Sequence, residues 1–94
     1  LALGHVLLTE GLHDPEFLAR CATGFERFAP YLLGETDGQP KTPAWAAAIT
    51  GVPAARITAL AREMAGARTM ISAGWSLQRA HHGEQPFWMA LTLA

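Results

Sequence analysis

Within the eleven positions 75–85, the chain carries Trp75, Ser76, Gln78, Arg79, His81, His82, Glu84 and Gln85. Together they offer a fixed cation, an indole N–H, two imidazoles, a hydroxyl, amides and a carboxylate. That set suits the binding and orientation of a polar ligand. A connection that only had to turn the chain could use Gly, Pro, Asn or Asp instead. The run RTMISAGWSLQRAHHGEQPFW, residues 68–88, reads as an apolar strand, then this loop, then a helix, and α/β proteins build ligand sites at the carboxyl ends of strands in this way.

Each of these residues also has a plain structural reading. Trp75 and Arg79 could form an ordinary cation–π pair. Adjacent histidines point different ways in a regular element, so His81 and His82 do not make a two-ligand metal face; loop support or ligand contact suits them better. Glu84 and Gln85 fall where a helix should begin, and an acid there is favoured by the helix dipole whatever the function. Elsewhere, His5 and His13 read as surface or cap-proximal groups. Cys21 is the only cysteine, which excludes an internal disulfide or a thiolate cluster within the chain, and it reads as a small core residue.

The elements that must hold the loop are mostly helical. Leu3, Val6 and Leu7 share a helical face, with Gly11 placed for a left-handed cap. Asp14 and Pro15 form an N-cap and first-turn proline, and Phe17, Leu18 and Cys21 would be the buried side of the helix they open. Phe25, Phe28 and Tyr31 recur every three residues as core positions of a short helix or 3-10 segment, with Pro30 limiting its regularity. Residues 34–43, GETDGQPKTP, read as a surface turn, and its acids would repel a phosphate. Thr42 and Pro43 open a helix containing Trp45 and Ile49, closed by Gly51. Pro53 starts the clearest helix, in which Ile57, Leu60, Ala61 and Met64 form one stripe and Gly66 is the expected C-cap. Arg56, Arg62 and Glu63 lie off that stripe, on a solvated face. Residues 69–73 are the one convincing strand, of the buried parallel type, and a last helix starts near Pro86.

A lone strand cannot satisfy its own backbone groups. The expected fold class is therefore α/β: a helix-rich piece of a larger α/β domain, with the sheet partners of strand 69–73 outside these residues. Both ends read as cut, because the chain opens on Leu1 and closes on Ala94 within an apolar helical pattern. Half of the 94 residues are hydrophobic, an excess for so small a chain, whose surface is largely wet. A net charge of −1 gives no electrostatic support for binding nucleic acid or an anionic membrane. No apolar run approaches the roughly 20 residues of a membrane-spanning helix, and no signal-peptide pattern is visible.

Three segments, GHVLLTEGLHDPEFLAR, GFERFAPYLLGETDGQPKTPAWAAAITGVP and GWSLQRAHHGEQPFWMALTLA, resemble an internal stretch of the dimethyl sulfoxide reductase family. The trimethylamine N-oxide, dimethyl sulfoxide and biotin sulfoxide reductases look nearest. The resemblance covers essentially the whole chain, and the ordered combination YLLGETDG, PKTPAWAA and WSLQRAHHGEQ is far more specific than any one of them. It implies that residues 1–94 are part of one α/β molybdopterin-binding catalytic domain, with molybdenum held by two molybdopterin guanine dinucleotides. It also implies a small S-oxide or N-oxide substrate reduced by oxygen-atom transfer, and an electron-donor protein as partner. Trp75 and Arg79 would face metal and substrate as the catalytic pair. Ser76, Gln78, His81 and His82 would contact the pterin or support the loop. The family's serine ligand to the metal lies upstream, so no metal ligand is expected within these residues. The small-oxide reductases of the family are mostly periplasmic and the biotin sulfoxide enzymes cytoplasmic, which makes a periplasmic location the first expectation and a cytoplasmic one the alternative.

Two other readings compete. A free-standing helical interaction module would explain the capped amphipathic helices but neither the strand nor the loop. A non-catalytic nucleotide-binding domain would need a glycine-rich phosphate loop after its strand, and GWSLQR is not one.

Overall fold

The computed structural model describes residues 1–94. Its helices are α1 (Ala2–Thr9), α2 (Pro15–Cys21), α3 (Phe25–Leu33), α4 (Pro43–Thr50), α5 (Ala54–Ala65) and α6 (Glu84–Leu93), with a 3-10 helix, Trp75–Arg79, before the last. There is no strand and no sheet. The expected α/β class is therefore corrected to all-helical for this chain. Residues 68–74 run without regular structure between α5 and the 3-10 helix. Their composition suits a strand, but a ladder needs a second extended segment alongside, and none pairs with them here.

Local chemistry sets the helix ends as the sequence suggests. The Asp14 carboxylate accepts from the Phe17 N–H at 2.9 Å, and the Thr42 hydroxyl from the Trp45 N–H at 3.1 Å. Both caps are followed by a proline, whose missing N–H would have been unsatisfied there anyway. After α1, the Gly11 N–H donates to the Leu8 carbonyl and the Leu12 N–H to the Leu7 carbonyl, the paired bonds of a Schellman ending. The same pair recurs after α3, from Gly34 to Tyr31 and from Glu35 to Pro30. Gly34 is required twice over there. Its φ is +80°, and a Cβ would lie 2.6 Å from Pro40 Cδ. Pro30 sits inside α3 without ending it. Gly66 caps α5 in a right-handed conformation.

The core is small and sits where α1 crosses α4, α5 and α3. Ala2, Val6, Leu32, Ala46, Ile57 and Ala61 are its buried apolar members. Gly4 lets α1 approach closely, its Cα side facing Leu32 and Met89. A bidentate pair, Arg62 to Glu10 at 2.8 Å for both bonds, ties α5 to the end of α1. Arg62 is thus not merely part of a solvated face, although water screens the pair.

Neither α2 nor α6 buries a single residue. Cys21 is exposed and Phe17 is 49% exposed, so the expected buried side of α2 is corrected to an open one. Helical periodicity identifies the apolar face of α2, but no element covers it. The three aromatic residues of α3 are half-buried, and Leu32 is the side chain that the core encloses. The accessible surface is 6739 Å², against about 5,300 Å² for a compact monomer of this mass.

Candidate functional site

The 3-10 helix begins at Gly74, whose extended conformation turns residues 68–73 into the loop. Its backbone bonds run from the Leu77 N–H to the Gly74 carbonyl at 3.3 Å and from the Ala80 N–H to the Leu77 carbonyl at 3.4 Å. The Gly83 N–H then donates to the Ala80 carbonyl at 3.0 Å, and the Gln85 N–H to the His82 carbonyl at 3.1 Å. Successive tight turns therefore carry the chain from the 3-10 helix into α6. Glu84 lies in the first turn of α6, where the helix dipole favours its charge.

All six candidate residues, Trp75, Ser76, Gln78, Arg79, His81 and His82, are exposed. Trp75 presents 82% of its surface to solvent, much as Met70 and Leu91 do. Trp75 and Gln78 meet Ala73 and Phe87 around a shallow recess of about 190 Å³. Ser76, Arg79, His81 and His82 lie outside that lining. The His81 and His82 rings are 3.9 Å apart at 60°, and His82 Nδ1 lies 3.7 Å from the Glu84 carboxylate. No group of three or more His, Cys, Asp and Glu side chains comes together in a way that could hold a metal ion.

Between Thr69, which donates to the Met64 carbonyl, and Thr92, which donates to the Trp88 carbonyl, no side chain makes a hydrogen bond within the protein. The donors of Ser76, Gln78, Arg79 and His81 are thus free to meet a ligand. Both cation–π contacts of the chain belong to Lys41, over Tyr31 at 4.3 Å and Trp45 at 5.8 Å. The packing explanation for Trp75 and Arg79 therefore has no such contact behind it.

A second, larger hollow of about 800 Å³ opens between α1, α2, α3, α6 and the end of α5, walled by residues such as Leu8, Phe17, Phe28, Met64, Met89 and Leu93. Its size is that of a ligand pocket, but its lining is mainly aliphatic and aromatic, with His13, Asp14, Thr23, Thr69 and Thr92 as its polar members. It has the character of an unfilled packing face, away from the loop's chemistry.

Sequence reasoning missed the role of Lys41. The lysine is only 2% exposed, with its ammonium donating to the Asp37 carboxylate and the Gln39 carbonyl. The Lys41 hydrogen bond, with a further one from the Gln39 N–H, holds the Asp37 carboxyl below the usual carboxylate range. The surface turn of residues 34–43 is therefore latched from inside, and the flanking Tyr31 and Trp45 were the available signal. Among the histidines, His13 packs on Phe25 at 5.6 Å with Nδ1 3.4 Å from the Leu7 carbonyl, so it is cap-proximal as read. His5 departs from the surface reading: its Nδ1 is buried without a partner, and burial lowers its pKa.

A scan of protein-family models gives no match. Curated relatives do match, along all 94 residues. The chain is 57% identical to the dimethyl sulfoxide/trimethylamine N-oxide reductase of Cereibacter sphaeroides and 57% identical to trimethylamine-N-oxide reductase 1 of Escherichia coli (strain K12). It is 52% identical to the trimethylamine-N-oxide reductase of Haemophilus influenzae. In each case the match covers 100% of this chain and 11% of the relative's length.

Proposed function

Because these 94 residues are homologous throughout to a segment of the dimethyl sulfoxide/trimethylamine N-oxide reductases, we propose that the chain is part of a molybdenum-dependent S-oxide or N-oxide reductase. The observation that carries this reading is identity of 52–57% across the entire chain with proteins of that name. A free-standing helical module would have no reason to share it. Alone, a stretch matching 11% of the relatives is not expected to turn over substrate.

The overall reaction takes an oxide, two electrons and two protons to the reduced sulfide or amine and water. Molybdenum, held by two molybdopterin guanine dinucleotides, would supply two electrons as it takes up the oxygen atom. The residues here fit such a group by their chemistry. A pterin edge presents amide and amine functions, and Ser76, Gln78 and His81 offer matching donors and acceptors that no protein partner occupies, with His82 beside them facing Glu84. In this reading they hold and orient the pterin.

Arg79 donates N–H bonds to the sulfoxide or N-oxide oxygen, whose negative charge draws a guanidinium more strongly than a neutral donor. Trp75 adds an indole N–H and an apolar wall against the methyl groups of a small oxide. Its high exposure and its place on the recess with Gln78 support a ligand-facing role. An electron-donor protein completes the cycle from outside this segment. No single helix is long and apolar enough to cross a membrane. Resemblance to the small-oxide reductases points to a periplasmic enzyme, which a leader ahead of this segment would establish.

The test is to express the intact parent protein, measure its bound molybdenum and assay dimethyl sulfoxide and trimethylamine N-oxide with a reduced viologen as donor. The expected result is molybdenum retained through purification and turnover of at least one oxide. A parent that binds no molybdenum and reduces neither would overturn the assignment.

A further inference from the structure

The turn His82–Gly83 has two unusual properties in adjacent residues. His82 is the only residue other than glycine with a positive φ, at +56°, a conformation that costs most L-residues energy. Gly83 is buried and its own φ is an ordinary −63°, so its requirement is for space. A Cβ there would lie 2.7 Å from both Cα and the carbonyl carbon of Gln78, and closer still to the Leu77 carbonyl oxygen. Those are backbone atoms in the middle of the 3-10 helix, and a rotamer change cannot move them aside.

Gly83 is also the N-cap of α6. The backbone of α6's first residue neighbour therefore rests directly on the segment carrying Trp75, Gln78 and Arg79. Across the resulting gap Phe87 faces Trp75 and Gln78 around the recess. The close approach of Gly83 to Leu77 and Gln78 lies beside that recess, and the left-handed turn at His82 leads into α6.

We propose that His82 and Gly83 form a backbone clamp, which positions Trp75 and Arg79 for the oxide substrate by seating the start of α6 against Leu77 and Gln78. This rests on the reading of Trp75 and Arg79 as substrate-facing. Gly83 is a positioning residue that touches no substrate. His82 acts here through its backbone, whatever its imidazole contacts. Displacing reacting groups by about 1 Å can cost on the order of a hundredfold in rate, so a forced separation of the two helices should register in kinetics before it registers in cofactor content.

In the intact parent enzyme, Gly83→Ala should lower kcat/KM for dimethyl sulfoxide or trimethylamine N-oxide by about tenfold or more. Bound molybdenum should stay at the parent's level, and the ratio of the two substrates' kcat/KM should change. His82→Val and His82→Asn both remove the imidazole, but only asparagine tolerates a positive φ well; the valine variant should therefore fall at least fivefold below the asparagine variant. That pair decides the matter if Gly83→Ala does not accumulate. Parent-like kinetics in Gly83→Ala, or equal impairment of the two His82 variants, would overturn the proposal. Arg79→Ala and Trp75→Phe, run alongside, separate the two levels. If they are silent the substrate-facing reading falls, and if they are impaired while Gly83→Ala and His82→Val are not, only the clamp falls.

Discussion

At the residue scale, the difference between Trp75 and Trp45 is instructive. Both are tryptophans near a cation in sequence, yet Trp45 is half-buried under the Lys41 ammonium, whereas Trp75 stands in solvent on the edge of a recess. Removing the indole at an exposed position loses little packing, so Trp75→Phe in the parent enzyme should alter substrate preference or the rate of oxide reduction more than the thermal midpoint. A change confined to the thermal midpoint would return Trp75 to a packing role. The density of donors in the loop was legible from residue types alone, and the structure leaves those side chains exposed. The conformation of His82 and the space taken by Gly83 were not, since both depend on how residues 77–83 fold back on themselves.

At the element scale, the caps at Asp14 and Thr42 were legible because a side chain reaching three residues along the same chain needs no tertiary partner. Strand 69–73 was misread for the opposite reason: β structure is a property of pairs, and the composition of one member does not supply the other. The turn after α3 lies on the surface as read, but the burial of Lys41 within it was not legible, since that requires α3 and α4 to bring Tyr31 and Trp45 together. Lys41→Met keeps the stem packed on both rings but leaves the Gln39 carbonyl and Asp37 without their donor. It should cost about 1–3 kcal/mol of stability by urea denaturation of the chain. The latch also has a definite pH signature. The Asp37 carboxyl is held below its ordinary range, first by the Lys41 hydrogen bond, so its contribution is complete above an unfolded pKa of about 4 and is lost as pH falls through the lowered folded value. Glu10, held low chiefly by its hydrogen bond from Arg62, contributes in the same sense. Asp37→Asn should therefore flatten the fall in stability below about pH 4, measured as denaturation midpoints across an acid series. An unchanged slope would show that Asp37 takes no part in it.

At the scale of the whole molecule, surface and core are out of proportion. The chain exposes well over the area expected for its mass, and Met70 is 88% exposed while α2 and α6 bury nothing. The hydrophobic excess was legible in the composition. The place where it would surface was not, because amphipathic periodicity marks an apolar face without saying what lies against it. A face of this kind binds environment-sensitive apolar dyes. The 94-residue chain should enhance the fluorescence of anilinonaphthalene sulfonate strongly in native buffer, and the intact parent, per mole, much less. Equal weak binding by both would mean that the hollow between α1, α2, α3, α6 and the end of α5 closes on its own.

The role of the loop is tested most directly by Arg79→Ala in the intact parent, with steady-state kinetics on dimethyl sulfoxide and trimethylamine N-oxide and bound molybdenum measured on the same preparation. The expected result is a lower kcat or a raised KM for the oxide, by about tenfold as for loss of one charged hydrogen bond, with molybdenum retained. Kinetics equal to the parent's at full molybdenum content would contradict the placement of Arg79 in the substrate pocket, and with it the assignment of this loop to oxide binding.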